Sequence, residues 1–174
     1  MATIYIFHGL GSTPQDNWFP WLKKEVQLLG HIVIAPPFPH PSNPKLEEWL
    51  NAVESFSFQD AILVGHSLGV PFMLKLLETR KAKAAFLVAG FCSPLGLSLD
   101  QRVKTFLASF HWQKIQSNCP SFTILNSDND PYIPLSKAQE LAQNLNSPLT
   151  IINKAGHFNQ TTLPLLLEKM KEQL

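Results

Sequence analysis

Cysteine is scarce: Cys92 and Cys119 are the only two in 174 residues. Two thiols without C-x-x-C spacing make no disulfide framework, so a stapled secreted scaffold is excluded and a reducing compartment is expected. The six histidines fall in no H-x-x-x-H or H-E-x-x-H pattern, so neither a metal site nor any other cofactor is expected. An excess of one charge is missing as well. Lys and Arg total 14 against 13 Asp and Glu, for a net charge of +1, and the basic residues do not cluster. Without that electrostatic footprint, nucleic acid is not an expected partner. No apolar run approaches the roughly 18 residues of a membrane span. The start, Met1-Ala2-Thr3-Ile4, has no basic n-region and runs straight into a strand pattern. No leader and a cytoplasmic location are therefore expected.

What is present is ordinary globular material: 45% hydrophobic and 16% charged residues, enough for one core and one domain over 1–174. Short apolar runs read as strands at Thr3–Phe7, Ile32–Ala35, Ala61–Val64, Ala84–Val88, Phe122–Leu125 and Leu149–Ile152. Helical spacing lies between them. Trp18 to Leu29 forms one helix, closed by Gly30, and Asn43-Pro44 opens a second as N-cap and N1. A third runs from the Gly69 region to about Thr79. The long connection 90–120 carries one, with Val103, Phe106, Leu107 and Phe110 on its apolar stripe. Ser136 and Gln139 form a capping box for the next, and Leu163 to Leu174 is the last. Strands alternating with helices, each strand a near-continuous apolar run, imply a parallel sheet covered on both faces. The proline-rich 36–41 segment is a stiff surface loop rather than a domain boundary.

The chemistry centres on Gly65-His66-Ser67-Leu68-Gly69, between the third strand and its helix. Strand, G-x-S-x-G, helix is the context of a nucleophile elbow. A side chain two residues before or after the serine would clash in so tight a turn, and glycine avoids this. A serine hydroxyl needs a base and a group to orient that base. In such a sheet these groups sit beyond the carboxyl ends of the strands. After strand five come Asp128 and Asp130; after strand six comes His157. The order Ser67, Asp130, His157 is that of α/β-hydrolases. Asp130 is preferred over Asp128 because it precedes Pro131, which holds it out of helix; Asp128 is assigned to capping a turn. Oxyanion donors are expected from the backbone N–H of Leu68, at a helix N-terminus, and of Leu10, in the glycine-rich turn after strand one. His8 and His66 are assigned structural roles.

These residues together resemble the α/β-hydrolase superfamily, and more narrowly the small serine hydrolases of the retinoblastoma-binding protein 9 and YdeN type. The resemblance spans nearly the whole chain. It rests on His8-Gly9, Trp18-Phe19-Pro20-Trp21-Leu22, Asn43-Pro44 through Trp49, the elbow, Asp130-Pro131-Tyr132-Ile133-Pro134 and Gly156-His157-Phe158. It implies about six parallel strands ordered 2-1-3-4-5-6, helices on both faces, little or no cap, and a Ser67/Asp130/His157 triad without metal or organic cofactor. It implies hydrolysis of esters or of peptide-type bonds. A pocket-protein contact through L-x-C-x-E does not transfer, since neither Cys92 nor Cys119 has the flanking Leu and Glu.

With no large insertion to bury a long acyl chain, the expected partner is a small ester or other acyl substrate, hydrolysed through an acyl-enzyme by a monomer. Phe106, Phe110 and Trp112 are candidates to roof an acyl pocket, against the simpler alternative that segment 91–120 is an ordinary crossover. Trp18, Phe19 and Trp21 are assigned to the core rather than the rim. The competing functional readings are an amide or peptide hydrolase, another elbow chemistry such as dehalogenation or acyl transfer, and a catalytically silent binding or scaffold protein on the same fold.

Overall fold

In the computed structural model, which describes residues 1–174, six strands form one all-parallel sheet in the order β2-β1-β3-β4-β5-β6. The strands are β1 (Thr3–Phe7), β2 (Ile32–Ile34), β3 (Ile62–His66), β4 (Ala84–Val88), β5 (Phe122–Ser127) and β6 (Leu149–Ile152). The helices are α1 (Phe19–Leu28), α2 (Leu46–Ala52), α3 (Gly69–Leu77), α4 (Asp100–Val103), α5 (Trp112–Asn118), α6 (Leu135–Leu145) and α7 (Pro164–Lys171). No helix is long and apolar enough to cross a membrane.

The period of two along each strand divides the core between the two faces of the sheet. Tyr5, Phe7, Leu63, Ala85, Leu87 and Ile124 point to one side, into a large cluster with residues of α2, α3, α5 and α6. Ile4, Ile6, Ile62, Val64, Phe86 and Leu125 point to the other, into a smaller cluster with α1 and α7. Trp18 and Phe19 are fully buried in this second cluster and Trp21 packs against it, so the Trp-rich opening is core. The proline-rich loop is pinned by its own aromatic plug. Phe38 stacks on Trp49 at 4.2 Å between ring centroids, and the Trp49 indole N–H donates to the Pro39 carbonyl at 3.0 Å.

Two expected helix starts are displaced, and one expected helix is replaced by two. α2 starts at Leu46 behind an extended Lys45, not at Asn43-Pro44; the Asn43 N–H is already committed to a turn on the His40 carbonyl. α6 starts at Leu135 behind Pro134, whose ψ of 142° is not helical, so Ser136 lies inside the helix and caps nothing. The connection after β4 holds two short helices, α4 and α5, rather than one through Phe106 and Phe110. Phe106 and Leu107 donate to Val103 and Lys104, three residues back. Such turns put apolar residues on one side at nearly helical spacing, which is why periodicity reads them as helix.

Candidate active site

The end of β3 turns into α3 through Ser67, whose φ is +53°. A non-glycine residue held there stores roughly 1–3 kcal/mol of backbone strain. The surroundings leave it no alternative. A Cβ on Gly65 would lie 2.8 Å from the Gly69 carbonyl oxygen, and one on Gly69 would lie 2.1 Å from that of Phe7. Both glycines are obligatory: one lets the turn close on itself, the other lets α3 approach β1. The Ser67 N–H donates to the Val88 carbonyl at 3.0 Å, carrying the sheet's pairing up to the serine.

Asp130 and His157 reach the same sheet edge from the loops after β5 and β6. Oδ2 of Asp130 accepts from Nδ1 of His157 at 2.8 Å. Oδ1 accepts from the backbone N–H groups of Tyr132 (2.8 Å) and Ile133 (3.0 Å). The Asp130 side chain is fully buried, so these three donors replace the water that an ionised carboxylate requires. Because Nδ1 donates to Asp130, the neutral imidazole keeps Nε2 as its acceptor. Tyr132 stands edge-on to the His157 ring at 5.0 Å. Asp128 makes no side-chain bond within its own turn, contrary to its turn-capping assignment: it accepts from Lys154 N–H at 2.7 Å and from the Asn153 carboxamide at 2.9 Å, joining the two loops.

Ser67 and His157 line one cavity of about 330 Å³, together with Leu10 and Leu68. No hydrogen bond joins the serine and histidine side chains in this conformation; contacts of this kind often tighten only around substrate. The backbone N–H groups of Leu10 and Leu68 donate to no protein acceptor. Phe106, Phe110 and Trp112 do not reach the cavity. Phe106 is buried against Trp49, and Phe110 packs on Trp112 with the Lys75 ammonium over its ring. The apolar wall comes instead from Phe91, Leu95, Leu99 and Val103. No group of three or more His, Cys, Asp or Glu side chains is disposed to hold a metal ion.

Two of the structural histidines hold the site's backbone. His8 accepts from Phe38 N–H at Nε2 (3.2 Å), so its Nδ1 donates to the Gly9 carbonyl (3.0 Å); this fixes the turn carrying Leu10. Burial lowers its pKa. His66 donates from Nε2 to the His157 carbonyl at 2.9 Å. Burial, then the neighbouring His157, pushes its pKa down to about 3, so it stays neutral. Ser127 and Asn129, which no sequence motif marks, complete the support. The Ser127 hydroxyl accepts from Ala155 N–H at 2.9 Å, and the Asn129 side-chain oxygen Oδ1 accepts from Gly156 N–H at 2.8 Å. The signal that points to them is only indirect: short polar residues immediately after a strand.

The serine hydrolase family profile matches residues 4–163. This chain belongs to the serine hydrolase family. It is 31% identical to the hydrolase YdeN of Bacillus subtilis (strain 168), over 95% of this chain and 92% of that one. It is 30% identical to the serine hydrolase RBBP9 of Rattus norvegicus, over 99% and 95%. The YdeN crystal structure superposes with a TM-score of 0.91, covering 99% of this chain and 98% of that one. Est1E of Butyrivibrio proteoclasticus, in a complex with ferulic acid, shares the α/β-hydrolase fold with a TM-score of 0.78 at 16% identity, over 99% and 87%.

Proposed function

We propose that this serine hydrolase cleaves small carboxylic esters through an acyl-enzyme, with Ser67 as nucleophile, His157 as general base and acid, and Asp130 as the group orienting His157. One observation carries the reading: a strained serine between two obligatory glycines opens into the same cavity as an imidazole whose Nδ1 is held at 2.8 Å by a buried carboxylate. A binding protein has no need of that combination.

Nε2 of His157 takes the Ser67 proton as Oγ attacks the ester carbonyl. The tetrahedral oxyanion accepts from the N–H groups of Leu68 and Leu10; a single such donor is typically worth about 3 kcal/mol of barrier. The imidazolium, stabilised by Asp130, gives its proton to the departing alkoxide. Water then loses a proton to His157 and attacks the acyl carbon; as the intermediate collapses, His157 returns that proton to Ser67 Oγ, and the acid leaves.

The test is a fluorophosphonate probe together with an aryl acetate assay. The wild-type protein labels and turns over, and Ser67→Ala abolishes labelling and lowers kcat by about 10⁴–10⁶-fold. Folded wild-type protein that neither labels nor turns over would mark a binding protein instead.

A further inference from the structure

The cavity straddles the sheet edge, and its two sides differ in character. On the side continuous with the larger core cluster, Phe91, Val103 and Ile133 are themselves members of that cluster, and Leu95 and Leu99 pack against it. On the other side stand Asn17 and Asn159, next in sequence to Trp18 and Phe158, which are buried in the smaller cluster. No Asp, Glu, Lys or Arg lines the cavity. A charged group entering the apolar side would lose its hydration without gaining a partner. About 330 Å³ is at the small end of the roughly 300–1,000 Å³ that ligand sites occupy.

On the polar side two carboxamides lack a protein partner, and of these Asn159 is exposed while Asn17 is half-buried. Ser12, also in the lining, is engaged by Asp16 at 3.1 Å. The Asn17 carboxamide hydrogen-bonds to no protein group, although its backbone is held at φ +52°. Asparagine is among the few side chains that tolerate this backbone conformation, so no strain is implied; a half-buried carboxamide lining the cavity without an internal partner keeps its donor and acceptor for a ligand.

Resting on the ester reading above, we propose that the site reads its substrate at both ends. A short, uncharged, apolar acyl chain lies on the Phe91–Leu95–Leu99–Val103 wall, and a polar, uncharged alcohol is hydrogen-bonded by the Asn17 carboxamide. Leu95 and Leu99 set acyl length, since both are only half-buried and form the part of the wall free to change size.

The experiment measures kcat/KM for p-nitrophenyl esters from acetate to decanoate, and for glycerol monobutyrate. Leu99→Trp lowers the hexanoate-to-acetate ratio by at least about tenfold, and Leu99→Ala raises the ratio for longer chains, a methylene in such a pocket being worth roughly 10–200-fold. A fold defect would move both variants in the same direction, so opposite shifts identify the wall. Asn17→Gly keeps the positive φ and removes the carboxamide. It lowers kcat/KM for glycerol monobutyrate at least about fivefold more than for p-nitrophenyl butyrate, in keeping with the loss of one neutral hydrogen bond. A chain-length profile identical in all Leu99 variants, or equal losses on the two butyrates in Asn17→Gly, overturns the proposal while leaving ester hydrolysis standing. Wild-type protein that hydrolyses none of these esters removes the reading on which the proposal rests.

Discussion

The loops after β5 and β6 and the segment after β4 border the same cavity, yet they are built on opposite principles. Residues 127–130 and 153–157 are tied almost atom by atom. Ser127, Asp128 and Asn129 accept from the N–H groups of Ala155, Lys154 and Gly156, and Asp130 accepts from His157. Segment 91–111 is fastened at scattered points: Asp100 accepts from the N–H groups of residues 95–97, Ser93 sits between Lys137 and Glu140, Cys92 accepts from Asn144, Arg102 donates to the Ser42 carbonyl, Lys75 donates to the Ser109 carbonyl, and Glu78 accepts from His111 N–H. Between those points it presents hydrocarbon. Hydrogen bonds fix direction and distance, which proton transfer demands. Apolar packing fixes only shape, which is all that an acyl chain reads. On the proposed reading, the chemistry falls to the polar loops and the shape of the acyl site to the apolar segment.

The sharpest way to break this contrast is inside the polar loops. Asp130→Asn retains the size of the side chain but removes its charge and allows the wrong imidazole tautomer. A fall in kcat of about 10⁴-fold is expected, measured on an aryl acetate. A loss below tenfold would mean that Asp130 only folds its own turn through Tyr132 and Ile133. One step out, Asn129→Ala removes the acceptor for Gly156 N–H while touching no substrate. Loosening the loop should lower kcat by about 10–100-fold with little change in KM. A rise in KM at constant kcat would place Asn129 in substrate binding and dissolve the division between the two regions.

The same contrast explains what the sequence discloses. The strands are legible because each is an apolar run ended by glycine, proline or polar residues, and alternation of strand with helix sets a parallel sheet. From there, Ser67, Asp130 and His157 can be placed at one edge, since each follows a strand and the serine lies between glycines. The cross-loop bonds of Ser127 and Asn129 are not legible. They depend on β5 and β6 being neighbours and on which carboxamide meets which N–H, and a run such as Asn126-Ser127-Asp128-Asn129 offers several equivalent choices. Segment 91–111 misleads for the opposite reason. Its buried residues, Val103 and Phe106, recur at a spacing shared by helix and by successive turns, so periodicity alone merges two short helices into one and points to Phe106 rather than Leu99 as the wall of the cavity.

The smallest effect concerns His66, which ties the elbow to the polar loops through the His157 carbonyl. Its Nδ1 is buried without a partner, and its pKa is held near 3 by burial and then by His157. Below the ordinary histidine value of about 6.5, the unfolded chain binds a proton that the folded chain refuses. Stability is therefore full above pH 6.5 and declines as pH falls toward 3, by up to about 1.4 kcal/mol per pH unit from this residue. His8, also lowered by burial, acts in the same direction. His66→Gln retains a donor toward the His157 carbonyl and removes the titration. Urea unfolding at pH 7 and pH 5 should show the wild-type protein losing more stability on acidification than the variant does, whatever the variant's absolute stability. Equal losses would mean that the elbow's histidine carries its proton in the folded chain, and that a positive charge is tolerated beside His157.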